Sequence, residues 1–187
     1  KAIELAPDWS WPWNNYGNAL NNLGRTEEAI SSYLKSNECD PQYAYPFYNL
    51  GILYHNKGEY EKAIEYYRKS LEINPRQSGC YNNLGMSLVS LGRTSEAIES
   101  FTRGMEINPR DGSLYGNRGK EYYLLERYED AVTDLKKAIE LKPDSAYYHK
   151  LLGFNLFSLK RYTEAEKQLL LAIELDPSYS SDLENML

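Results

Sequence analysis

Six prolines, Pro7, Pro41, Pro75, Pro109, Pro143 and Pro177, follow one another at intervals of 34 residues without a slip. Self-similarity at a fixed period of this length restricts the chain to a stacked array, because each unit is one supersecondary element that cannot bury its apolar face alone. Every proline closes a phrase of one kind: AIELAP, SNECDP, SLEINP, GMEINP, AIELKP, AIELDP. With proline set at position 32 of a unit, complete units run 10–43, 44–77, 78–111, 112–145 and 146–179. Residues 1–9 then read as the end of a preceding repeat, so the opening looks like the tail of something whose beginning is missing. Residues 180–187 read as the start of a further helix or a C-terminal cap.

Inside the units, position 8 is Gly17, Gly51, Gly85, Gly119 and Gly153, and position 20 is Ala29, Ala63, Ala97, Ala131 and Ala165. Glycine within a helix costs about 0.5–1 kcal/mol relative to alanine, so five in register imply that two helices approach closely there. Bulky residues fill the rest of the seam: Trp13, Phe47, Tyr81, Tyr115 and His149 at position 4, and Tyr33, Tyr67, Phe101, Leu135 and Leu169 at position 24. Apolar residues at spacings of three and four give two amphipathic helices per unit, A and B, broken near position 15 by Gly24, Gly58 and Gly92. Helices A are expected at 10–23, 44–57, 78–91, 112–125 and 146–159. Glu126 and Lys160 replace the glycine at position 15, which predicts tighter or altered turns in the last two units.

This succession of aromatic, Leu-Gly, Tyr, Gly, Ala, aromatic and Pro resembles the tetratricopeptide repeat through five units. The resemblance implies an all-α right-handed solenoid, a superhelix whose concave face is lined by helices A and whose outside is formed by helices B.

If positions 4, 7, 8 and 11 of helix A pack inward, helical geometry presents positions 2, 5, 6, 9, 12 and 13 to the groove. Position 6 reads Asn15, Asn49, Asn83, Asn117 and then Leu151, with Asn185 at the same place in the terminal fragment. Asparagine is a poor helix former, because its side chain competes for nearby backbone groups, so its return in register requires a reason. A side-chain amide has both donor and acceptor and can pair with an N–H and a C=O of one extended backbone. The ladder resembles those in the repeat superhelix of O-linked N-acetylglucosamine transferase and, more loosely, in the peroxisomal targeting-signal receptor. By that resemblance the four asparagines hold a peptide backbone; the alternative is that they solvate the face or bond the neighbouring repeat. Around them Asn14, Asn18, Tyr48, Asn82, Met86, Lys120, Lys150 and Phe154 complete the expected peptide-binding set. No Asp or Glu occupies any of these groove positions, although the chain carries a net charge of −6.

Other functions find little support. With 27 acids against 21 bases and no dense basic run, nucleic acid is not an expected partner. No apolar run approaches the roughly 20 residues of a membrane span. Cys39 and Cys80 fall outside any CxxC or Cys/His ligand spacing, so no metal or cofactor is expected and a reducing, cytoplasmic compartment fits. His55 and His149 lie far apart, no HExxH, GxSxG or phosphate loop occurs, and no catalytic residue is assigned. The carboxylate clamp with which some members of this family hold chaperone C-terminal tails needs three cations. Here its positions carry Asn14, Gly79 and Asn83, so such a tail is not an expected ligand. The reading is a non-catalytic scaffold that binds an extended peptide or partner tail. Two alternatives stand beside it: the substrate-presenting arm of a larger enzyme such as a glycosyltransferase, and a scaffold for homo-oligomerisation through the convex or edge surface.

Overall fold

In the computed structural model, which describes residues 8–180, ten α-helices follow one another and no strand occurs among the described residues. They are α1 (Ser10–Asn22), α2 (Thr26–Cys39), α3 (Ala44–Asn56), α4 (Tyr60–Ile73), α5 (Ser78–Ser90), α6 (Thr94–Ile107), α7 (Gly112–Leu124), α8 (Tyr128–Leu141), α9 (Ala146–Ser158) and α10 (Tyr162–Leu175). A single 3-10 turn, Pro177–Tyr179, ends the described chain. Odd-numbered helices take the role of A and even-numbered ones that of B. The expected fragments at 1–9 and 180–187, Asn185 included, lie outside the described residues apart from Asp8, Trp9 and Ser180. Two compact units divide the chain within α6, the first ending at Ser100 and the second beginning at Phe101.

In the first unit α1 pairs with α2 and α3 with α4, while α2 packs on α3 and α4 on α5. The seam is closest at the position-8 glycines. A Cβ built on Gly51 would lie 2.5 Å from Cδ1 of Tyr67, a ring that is 1% exposed. Only a hydrogen at that position lets α3 and α4 touch, and the glycine's helical cost is offset by burial of the whole tyrosine ring. The alanines at position 20 complete the contact and are at most 1% exposed. In the second unit α7 pairs with α8 and α9 with α10, and α8 packs on α9. Its main core joins Ala131, Val132, Leu135 and Ala138 of α8 to Tyr148, Leu151, Leu152 and Leu156 of α9.

The turns correct one expectation. Gly24, Gly58 and Gly92 adopt φ of 74°, 77° and 71°, and Glu126 and Lys160 hold the same left-handed conformation at 58° and 61°. Their hydrogen bonds are the same too. Gly24 N donates to Asn21 O and Arg25 N to Leu20 O, as Glu126 N does to Tyr123 O and Arg127 N to Tyr122 O. The turn is therefore unaltered in the last two units, because two backbone bonds per turn and the packing of both helices outweigh a Cβ penalty of about 1–2 kcal/mol. Between units, an Asp or Asn precedes the proline and closes an Asx turn: Oδ1 of Asp40, Asn74, Asn108 and Asp176 accepts the N–H two residues on.

Arg118 and His149 depart from the apolar seam in the second unit, and position 23 compensates each of them. Arg118 stands where Leu50, Leu84 and Leu152 stand elsewhere; it forms a bidentate pair with Asp134 at 2.7 and 2.9 Å and donates to Thr102 Oγ1 at 2.8 Å. The Asp134 carboxylate raises the Arg118 pKa further, chiefly through these hydrogen bonds. His149, in the place of a large aromatic, is buried with Nε2 at 3.0 Å from the Pro143 carbonyl oxygen and Nδ1 at 2.8 Å from Gln168 Oε1. In the first unit, Asn37 has no such compensation. It is 9% exposed where other repeats carry Leu71, Met105, Ile139 and Ile173, and neither Nδ2 nor Oδ1 meets a hydrogen-bond partner.

Candidate functional site

On the helix-A face of the first unit the asparagines are wired from repeat to repeat. Asn49 Nδ2 donates backwards to Asn14 Oδ1 at 3.0 Å and to Asn18 Oδ1 at 3.1 Å. One repeat further on, Asn83 Nδ2 donates to the Tyr48 hydroxyl at 3.1 Å. In both cases position 6 reaches position 5 of the preceding helix A. The acceptors are held in turn: Asn18 Oδ1 also receives the Tyr33 hydroxyl at 2.8 Å, and burial pushes that phenol up to about 12, so it stays a donor. Tyr48 stands against Tyr67 with ring centroids 6.0 Å apart, and burial, then Cys80, raises its pKa in spite of the Asn83 bond.

This geometry changes what the ladder can offer. Both N–H groups of Asn49 are spent within the protein, so what it can offer an incoming chain is its carbonyl oxygen; Asn83 gives one N–H to Tyr48, keeps the other, and takes a 3.5 Å contact on Oδ1 from Asn82 Nδ2. Asn15, on the first helix, is exposed and keeps both functions. Asn14, expected to face the groove, is instead 4% exposed and serves as the acceptor for the next repeat, between α1 and α3. Asn18 is exposed, Tyr48 and Asn82 are half-buried, and Met86 is exposed.

A cleft of about 170 Å³ opens on this face between α3 and α5, lined by Ile52, His55, Asn56, Tyr67, Asn83 and Met86. His55 Nδ1 lies 2.8 Å from Ser87 Oγ, whose own hydroxyl donates to Asn83 O at 3.0 Å. A serine has one proton to give, so Nδ1 carries the hydrogen of this contact and Nε2 of the neutral ring is left as an acceptor. Burial lowers the His55 pKa and favours that neutral form. Nothing in the sequence reading drew attention to Ser87; the available signal was a hydroxyl at position 10, on the buried side of helix A, one helical turn from Asn83.

In the second unit Asn117 is half-buried on α7 and Lys120 half-buried on the same helix. Leu151, at the ladder position of α9, is 7% exposed and belongs to the core. Phe154 packs against Leu169 and Ala172 with Ile173 and Tyr179. The Lys150 ammonium sits 3.8 Å from the centroid of the Tyr179 ring, a cation–π contact that holds the 3-10 turn against α9. Position 12 packs on the first residue of the following helix B. Phe157 meets Tyr162 edge-on at 5.3 Å and Tyr123 meets Tyr128 at 5.8 Å, as His55 meets Tyr60 at 5.3 Å in the first unit. These rings cover the turn of their own repeat.

Family models described as tetratricopeptide repeat match residues 44–77, 146–179, and 1–31 with 66–99, and a further model described as TPR repeat matches 17–58 and 119–156. The chain belongs to the tetratricopeptide repeat family. Its all-α repeat fold is shared with solved structures of low sequence identity. YrrB, described as a TPR protein with an unusual peptide-binding site, superposes with a TM-score of 0.86 at 24% identity, covering 100% of this chain and 96% of that one. A crystal structure of MamA gives 0.82 at 22% identity, covering 92% and 94%. MamA from Desulfovibrio magneticus RS-1 gives 0.82 at 23% identity, covering 90% and 96%. No curated protein sequence gives a significant match. As in that family, the tetratricopeptide repeats here make a protein-interaction scaffold, and no helix among the described residues is long and apolar enough to cross a membrane.

Proposed function

We propose that the helix-A face of the first unit binds an extended segment of a partner protein through its backbone, with Asn15, Asn49 and Asn83 as the hydrogen-bonding ladder. Asn117 occupies the equivalent position on α7, within the second unit. The observation that carries the reading is the internal fixing of the amides: Asn49 and Asn83 are each tied by Nδ2 to the preceding repeat, which holds their carbonyl oxygens in place before any ligand arrives. Preorganised acceptors avoid the entropy of ordering a free side chain on binding. Their natural complements are the N–H groups of an extended strand, which lacks partners of its own. Asn18 and Asn82 lie beside the ladder on the same helices, and Tyr48 and Met86 give it apolar contact.

The test uses short peptides selected from a random library against the full chain. A neutral hydrogen bond contributes about 0.5–1.5 kcal/mol net, so Asn15→Ala, Asn49→Ala and Asn83→Ala together should weaken binding by about one to three orders of magnitude. Because the ladder offers acceptors, methylating alternate backbone nitrogens of a selected peptide should be as damaging as the triple substitution, while side-chain scrambling is largely tolerated. Equal affinity of the methylated and parent peptides would refute the ladder.

A further inference from the structure

The cleft between α3 and α5 has a chemistry that the ladder does not use. Its walls are apolar at Ile52, Met86 and the Tyr67 ring, and polar at His55, Asn56 and Asn83. No carboxylate and no fixed cation lines it. A cleft of about 170 Å³ has room for one side chain of medium length. Asn83 gives one of its two Nδ2 hydrogens to Tyr48, and His55 Nδ1 is spent on Ser87. What the cleft presents is the bare Nε2 of His55 as an acceptor, with the exposed amide of Asn56 and the second N–H of Asn83 as donors.

We infer that this cleft is a specificity pocket for one carboxamide side chain, glutamine in length, on the segment bound by the ladder. The inference rests on the peptide-binding reading and deepens it. Each other class of side chain leaves something unmatched. An ammonium or guanidinium would lose hydration with no counter-charge in the cleft. A carboxylate would bring lone pairs against the lone pair of His55 Nε2 and find no cation. An apolar side chain would fill the space and leave His55 Nε2 without a partner. A carboxamide supplies the missing donor and acceptor together: its NH2 gives a hydrogen to His55 Nε2, its carbonyl accepts from Asn56 Nδ2, and its methylenes lie on Ile52 and Met86. A hydroxyl of serine or threonine is too short to span the pocket.

The experiment sequences the peptides enriched from a random library by the full chain and then titrates one of them with Gln, Glu, Met or Lys at the enriched position. Gln should be enriched at a single position, and Gln→Glu and Gln→Met should each weaken binding at least about tenfold. His55→Leu should reduce the Gln-over-Met preference to within about twofold, by weakening the Gln peptide and strengthening the Met peptide. Asn56→Ala, on an exposed residue, gives a second reading and should lower the Gln preference by weakening the Gln peptide. Peptides that bind but show no preference for Gln, or that enrich Lys or Glu there, overturn the pocket and leave the ladder standing. A library from which nothing binds overturns both.

Discussion

Removing the carboxylate of Asp134 should destabilise the second unit by about 3 kcal/mol, whereas removing its partner as well should cost almost nothing. The side chains of Arg118 and Asp134 are 17% and 6% exposed, and the carboxylate takes two of the guanidinium's hydrogen bonds at 2.7 and 2.9 Å. After Asp134→Ala the cation keeps only Thr102 Oγ1 at 2.8 Å and the Tyr122 ring at 5.5 Å. Breaking a buried pair costs about 3–5 kcal/mol; the residual exposure of Arg118 sets the lower end of that range. Other repeats show what the seam accepts without charge: Leu50, Leu84 and Leu152 at position 7, Ser32 and Ser100 at position 23. Arg118→Leu with Asp134→Ser should therefore lie within about 1 kcal/mol of the parent, because the desolvation of both ions is relieved together. Urea unfolding followed by far-UV circular dichroism at pH 7, on the parent, Arg118→Leu, Asp134→Ser and the double variant, measures the coupling. It should exceed about 2 kcal/mol. Single substitutions whose effects add up to that of the double variant would refute the argument.

Gly51→Ala should destabilise the first unit by about 1–3 kcal/mol, since its Cβ would fall 2.5 Å from the ring of Tyr67, which is 1% exposed; a urea midpoint equal to the parent's would show that the seam gives way. Asn37→Leu should stabilise by about 1–2 kcal/mol, because it replaces two orphaned polar atoms by the residue type other repeats use there; a loss of stability in the same assay would mean that Asn37 has a partner. His55 has a folded-state pKa held below its ordinary value of about 6.5 by burial, so below that pH the unfolded chain binds the proton more readily. Its contribution is complete above about pH 6.5 and is lost as the pH falls from there through the lowered folded value. Stability profiles of the parent and His55→Gln should therefore diverge between pH 7.5 and 5, with the parent falling more steeply, and parallel profiles would count against a neutral buried ring.

The helical architecture was open to reading because its signals are local and repeat in phase. Proline at position 32, glycine at 8 and alanine at 20 each answer to one steric requirement, and the requirement recurs every 34 residues. Glu126 and Lys160 misled for the opposite reason. Residue preference at position 15 reports only the intrinsic cost of a positive φ, while the conformation is fixed by the two helices it joins. Asn14 and Phe154 were placed on the groove by helical geometry alone, which separates the faces of one helix but cannot show how far a neighbouring helix overlaps them. The Arg118–Asp134 pair and the His55–Ser87 contact are legible only in three dimensions, as their partners lie on different helices.

The backward wiring of the ladder sets a limit on how this face can recognise anything. A ligand carbonyl that sought the N–H groups of Asn49 would have to displace Asn14 and Asn18, two bonds worth about 0.5–1.5 kcal/mol each, and would leave the buried Asn14 oxygen without a donor. One new bond cannot repay that exchange. On the proposed reading a ligand N–H displaces no donor from the Asn49 carbonyl oxygen, and at Asn83 only the 3.5 Å contact from Asn82 Nδ2, so the ladder would discriminate by polarity before any side chain is read. Repeat stacking and recognition then draw on opposite ends of the same amide. Asn49→Asp isolates this division: the carboxylate keeps acceptors for a ligand but has no N–H for Asn14 and faces its oxygen instead. Such a variant should lose stability while keeping its affinity for a backbone donor, and a variant that lost affinity and kept stability would show that the two roles had been assigned to the wrong ends.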